Sequence, residues 1–289
     1  MAASGFVLYQ PLYEKIDAIT LTFITQVTGK TIAAVAPVVT VALTLLFIAY
    51  GLAVMRNAID MPLSDFLMKS LKVGLIVSVA LTGGMYQSEI AQVIFKLPDD
   101  FAATIMTLDS SSTGVGAAQL VDECAGQGFA KAQEAFSKAG IFADNGFTYG
   151  FIGVIIIIAT AVMSGIGGAF LLMAKVALGV LCALGPMFIV CLLFKPVYRF
   201  FVSWVNQCVN YFLLIVLFAA VFSLLMNVYG NYMEDLRFAK GVNLGYAVGG
   251  CTIISIVSII IMLQLPKIAS GLAGGAAMAD GNVTPRSRK

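Results

Sequence analysis

Apolar residues run through this chain in unbroken stretches about 20 residues long, the length that crosses ~30 Å of hydrocarbon at ~1.5 Å rise per residue. Thr31 to Met55 is the first such stretch and Arg56 closes it; Pro37 sits one or two turns inside its start, where a spanning helix tolerates a kink. Leu71 to Tyr86 is the apolar centre of a second span, Asn206 to Gly230 a further one and Asn243 to Leu265 the last. Ahead of them Leu8, Leu12, Ile16, Ile19 and Phe23 recur three or four positions apart, which predicts an amphipathic helix within residues 1–30, at the membrane interface or packed on the bundle. The pattern predicts an all-α, polytopic helical membrane protein. Its segments are 1–30, an amphipathic amino-terminal region outside the membrane; 31–95, a first transmembrane pair; 96–146, a loop with short helices; 147–266, a carboxyl-terminal transmembrane bundle; and 267–289, a flexible tail rich in Gly and Ala.

The polar stretches set the orientation. Arg56, Lys69 and Lys72 place three cations on one short connection, which puts it in the cytoplasm by the positive-inside rule. Gln87 to Gly146 is the one long hydrophilic stretch; its eight carboxylates against three lysines leave it net −5, and it is expected on the outer side, in the periplasm of a cell with two membranes. After a Ser/Gly hinge at Ser110 to Gly116, Ala117 to Ala139 reads as one helix, or as two short ones parted at Gly126 and Gly128. Phe147 to Phe194 is almost continuously apolar and long enough for two crossings, with only Lys175 and Gly185-Pro186 as punctuation. Two crossings there make six in all and leave Lys195, Arg199, Lys267, Arg286, Arg288 and Lys289 outside; one makes five and brings those cations to the cytoplasm, the arrangement that the rule favours.

Composition narrows the chemistry. With 60% hydrophobic and 11% charged residues, against roughly a quarter charged in an ordinary globular domain, lipid is the solvent for most of the chain. A net charge of +2 without a basic block gives no general nucleic-acid surface, so DNA would pass only transiently. The absence of histidine removes the commonest general base and zinc ligand, so no catalytic residue, cofactor or metal site is expected, and no enzyme. Cys182, Cys191, Cys208 and Cys251 lie in or beside apolar runs and read as buried small hydrophobes; Cys124 is the one cysteine of the long loop. Residues 1–10 lack the basic and apolar regions of a removable signal peptide, which leaves targeting to the first span.

Few motifs rise above this background. Thr28-Gly29-Lys30-Thr31 ends like a phosphate-binding loop, but Ile24 stands where that motif needs its first glycine, so chance explains it. Lys175, the lone ionisable cation within the apolar spans, is expected to snorkel to an interface or to mark a break between two half-helices. The spacing Gly241-x-x-x-Gly245-x-x-x-Gly249 lines one helix face with glycine at the entry to the last span, where another helix, of the same subunit or of another, can pack closely; Gly271 and Gly275 repeat the spacing in the tail. Between Leu184 and Gln207 the sequence concentrates rings and cations: Lys195, Tyr198, Arg199, Phe200, Phe201 and the sole tryptophan, Trp204. Such a belt anchors a helix end at the headgroups. Lys195, Arg199, Phe201 and Trp204 are its candidates for contact with partners.

That stretch resembles the hallmark of the TrbL-type polytopic inner-membrane subunits of type IV secretion systems, in Gly185-Pro186-Met187-Phe188, Phe194-Lys195-Pro196, Arg199 and Trp204. The order of short outer amino end, two spans, large outer loop and more hydrophobic second half is similar to that family as well. The resemblance implies a non-enzymatic channel or scaffold component of the bacterial inner membrane, supporting DNA or protein translocation and pilus assembly. It implies partners that include the secretion ATPases, the bitopic scaffold protein and the minor pilus subunit, and it assigns the loop from Gln87 to Gly146 to contact with substrate and channel parts; a homo-oligomer around a central axis is expected. The function expected from another class is a stand-alone small-solute permease or channel, which the lack of acidic groups in the spans argues against.

Overall fold

The computed structural model describes residues 7–56, 63–82, 86–106, 117–139, 146–235 and 244–280. Among them there is no strand, and seven α-helices follow one another: α1 Tyr9–Met55, α2 Leu63–Leu81, α3 Gln92–Met106, α4 Ala117–Lys138, α5 Gly146–Val190, α6 Tyr198–Asp235 and α7 Leu244–Asp280. A single π-helical segment, Tyr86–Ala91, leads into α3. Four of the helices, over Tyr9–Met55, Tyr149–Leu193, Lys195–Tyr229 and Val248–Gly274, are long and apolar enough to cross a membrane.

Length is where the structure departs from the expected segments. The amphipathic helix expected within residues 1–30 and the span expected from Thr31 are one 47-residue helix, because no residue between them breaks the backbone ladder. At ~1.5 Å per residue it is about 70 Å long, more than twice the hydrocarbon thickness. Four of its hydroxyls are satisfied along the same helix: Thr22 donates to the Ala18 carbonyl at 2.9 Å, Thr25 to Leu21 at 3.0 Å, Thr40 to Ala36 at 2.9 Å and Thr44 to Thr40 at 2.8 Å, as a low-dielectric setting favours. The run from Phe147 folds as a single helix of 45 residues with no turn inside it, so Lys175 marks no break and Gly185-Pro186 only its last turns. Residues 117–138 form one helix, not two. The last helix continues through Pro266 as far as Asp280, into the segment expected to be a flexible tail. The Ser110 to Gly116 hinge and the cations of the last nine residues lie outside the described residues.

The chain divides into two compact units. The first comprises Met1–Asp17, Leu97–Val176 and Asn210–Leu272. Its interior is built on close approaches at glycine: side chains added at Gly128, Gly168 and Gly250 would overlap Thr160, Tyr9 and Tyr232 respectively. The Thr160 and Tyr229 hydroxyls share a buried hydrogen bond of 2.8 Å, Phe101 meets Phe212 edge-on at 5.4 Å, and Phe218 stacks with Phe222 at 5.4 Å. The start of α1 is held by a residue far away in sequence. The buried Asp122 of α4 accepts the backbone N–H groups of Leu8 and Tyr9 at 2.8 Å and of Gln10 at 2.7 Å. Helices leave these first donors without internal partners, and a carboxylate there also meets the positive end of the helix dipole.

The second unit comprises Ala18–Lys96, Ala177–Val209 and Ala273–Lys289. Tyr86, Phe95, Cys182 and Trp204 are buried in it. Thr28 is fully buried in mid-helix, with its hydroxyl donating to the Ala183 carbonyl at 3.3 Å, which disposes of the phosphate-loop likeness around it.

Candidate functional site

Two constellations stand out, one in each unit. In the first unit Lys175, on α5, is only 2% exposed. Its ammonium lies 2.5 Å from an Asp17 carboxylate oxygen on α1 and 2.7 Å from one of Asp99 on α3, with the Tyr13 ring centroid 5.4 Å away. The lysine therefore does not snorkel, contrary to the expectation from its position. Solvation lost by burial is replaced by two carboxylates and a ring face, the condition on which a buried charge is tolerated. Two anions around one cation leave an excess of one negative charge, and two buried oxygens nearby, Tyr13 Oη and Asp17 Oδ1, have no hydrogen-bond partner. Burial pushes the Asp99 carboxyl above its ordinary 3.8, with Lys175 opposing and the carboxylates of Asp17 and Asp100 adding to the rise. Chemically, the cluster joins three helices and offers a place for one proton.

The sequence reading missed Asp17 and Asp99 as partners because one lies in the helix expected at the interface and the other in the outer loop. A signal existed: a lysine inside a long apolar run requires counter-charge. Asp17 follows Tyr13 by four residues and so shares its helix face, while Asp99 follows Pro98 near the middle of α3.

In the second unit the hallmark stretch forms a corner between α5 and α6. After Val190 a 3-10 turn, Cys191–Leu193, gives way to one extended residue, Phe194 (φ −120°, ψ 115°), and a second 3-10 turn, Lys195–Val197, starts α6 with Pro196 in a place that needs no donor. Trp204 turns inward, 6% exposed, and its indole N–H donates to the Leu181 carbonyl at 2.9 Å. The ring stacks on Phe188 at 6.1 Å and meets Phe201 at 5.8 Å. Gly185 is explained by the same packing: a Cβ there would overlap Tyr86, whose hydroxyl donates to the Cys182 carbonyl at 2.7 Å, and would press on Trp204. Thus Trp204, half-buried Phe201, Phe188 and Gly185 brace the corner, while Lys195 and Arg199 are exposed on it. The tryptophan is a core residue and not an anchor at the boundary, because its one polar atom finds a carbonyl inside the protein.

The glycine ladder of the last span is realised differently. Gly241 lies outside the described residues, Gly245 lies in the first turn of α7, and Gly249 faces open space within the chain. Its neighbour Gly250 makes the close approach, to Tyr232. Among the described residues no group of histidine, cysteine or carboxylate side chains has the arrangement to hold a metal ion.

The chain as a whole is similar to known proteins. The profile of the family described as TrbL/VirB6 plasmid conjugal transfer protein matches residues 43–265, well over half of the chain. The type IV secretion system protein VirB6 of Bartonella henselae is 26% identical over 282 residues, covering 97% of this chain and 81% of that protein. VirB6 of Brucella abortus is 22% identical over 267 residues, covering 89% and 75%, and VirB6 of Bartonella quintana 25% identical over 265 residues, covering 90% and 77%. The matched region takes in the braced corner, the buried lysine, two of the four long apolar helices whole and the larger part of the last. The chain belongs to the TrbL/VirB6 family and is a multi-pass membrane component of a type IV secretion system.

Proposed function

We propose that this chain is a non-enzymatic scaffold and conduit-wall subunit of its secretion machine in the bacterial inner membrane, assembled as a homo-oligomer and supporting passage of DNA or protein and pilus assembly. The observation that carries this reading is the bareness of α1: only 6% of its most apolar stretch is buried by the rest of the chain, and Val38, Val41, Leu45 and Ile48 are each more than half exposed. A permease acting alone would be expected to pack its longest helix against the rest of its own bundle. Here the longest helix offers its apolar surface outward, to lipid and to neighbouring subunits. Lys175 is paired with Asp17 and Asp99 and Asp122 caps α1, so the driving energy is assigned to partner ATPases, with the bitopic scaffold protein and the minor pilus subunit as further neighbours.

In this reading the chain crosses five times, with the amino end and the 87–146 loop in the periplasm and the carboxyl end in the cytoplasm. The unbroken α5 supports one crossing over Phe147 to Phe194, since a helix without a turn makes one net crossing, and the 19-residue α2 supplies the fifth crossing beside the four long apolar helices. Isolation from membranes that contain the whole system tests the function. The protein should co-purify with secretion ATPases and pilus parts, and its deletion should abolish substrate transfer. A monodisperse protein, recovered alone, that moves a small solute into liposomes would overturn the proposal.

A further inference from the structure

We infer that the second unit carries a binding site for an anionic phospholipid. The end of α1, α2 from Phe66 to Ile76 and the turn after α5 enclose a groove of about 230 Å³. Its floor is leucine, valine and isoleucine together with Phe47 and Phe66, whose rings meet edge-on at 6.3 Å. Lys69, Lys72 and Lys195 line the same groove, and no carboxylate is among its lining residues. Lys69 and Lys72 stand three apart on α2 and so share a face. Tyr50 draws Lys69 over the groove, with the ammonium 4.9 Å from the ring centroid and 3.4 Å from the hydroxyl.

Three ammonium groups above an apolar floor complement a ligand with a negative head and an apolar tail. A helix ~10–12 Å across is too large for this space, whereas the end of an acyl chain fits it. Basic pockets between membrane helices are sites of this kind for phosphate-bearing lipids. A phosphodiester held by the lysines would tie the start of α2 to the corner at Lys195, a cation that the sequence marked and that packing in the corner does not employ. The occupant is thus a lipid whose chain enters between Phe47 and Phe66.

The full chain, purified in detergent and equilibrated with mixed phosphatidylglycerol and phosphatidylcholine, should retain phosphatidylglycerol in native mass spectra. Each of Lys69→Gln, Lys72→Gln and Lys195→Gln should weaken retention about fivefold, and the triple variant about a hundredfold. Val73→Trp, which fills the floor and spares the lysines, should weaken it as well. Should the triple variant fail to insert, the single variants decide the matter. Equal retention of both lipids, unchanged retention in the lysine variants, or displacement of the lipid by inorganic phosphate as readily as by phosphatidylglycerol would each overturn the inference.

Discussion

Replacing Gly185 by alanine sets a methyl group where the Tyr86 hydroxyl sits. Tyr86 is fully buried and its hydroxyl serves the Cys182 carbonyl, so neither can yield freely. The substitution should cost about 1–3 kcal/mol, the range for an extra methyl in a close-packed core. Adding Tyr86→Phe should recover part of that loss, and melting of the four proteins in mild detergent measures the coupling. Lys175→Met strands two carboxylates and is expected to destabilise by about 3–5 kcal/mol. Asp99→Asn acts in the other direction. A carboxyl raised above 3.8 is held in its protonated form more tightly by the folded chain than by the unfolded one, so its charging destabilises as pH rises through the raised value. The variant should therefore equal or exceed the wild type at neutral pH, and the gap should close as pH falls towards 3.8. A wild-type advantage that is greatest at neutral pH would refute that account. Sequence made the greasy positions plain residue by residue, but the fate of Lys175 depended on which acids the fold delivers to it. Asp17 and Asp99 stand 158 and 76 positions away, beyond the reach of any local pattern.

Helix ends and corners show the same division between what is local and what is not. The existence and character of the long helices follow from runs of apolar residues and were readable directly. Their merging was not, since the polar residues around Lys30 look like a boundary and yet carry no breaker strong enough to stop α1. Likewise the corner residues could be picked out by composition, but the inward turn of Trp204 required the Leu181 carbonyl to be found. Trp204→Ala should then cost about 3–5 kcal/mol, as for a large core ring, and impair transfer through loss of fold. Arg199→Glu changes an exposed side chain, so stability should move by less than about 0.5 kcal/mol while transfer falls. Comparing melting with transfer in the two variants separates bracing from partner contact. At the other end of α1, Asp122→Ala removes the acceptor of three N–H groups and should cost about 1–2 kcal/mol. Asp122→Asn keeps one acceptor oxygen and should fall between. Earlier hydrogen exchange at residues 8–10 in the alanine variant is the signature to look for.

For the molecule as a whole, topology is the property on which charge and helix length speak together. A reporter fused after Lys289 should show cytoplasmic activity; periplasmic activity would add a crossing and move the carboxyl end outside. The bareness of α1 bears on how the protein endures in the cell. In the proposed assembly, where other subunits cover α1, stability obeys mass action within the plane of the bilayer and should rise with the density of copies and neighbours. Made alone or in excess, it should then be degraded by membrane proteases faster than when made in step with the rest of the machine, which pulse-chase labelling measures.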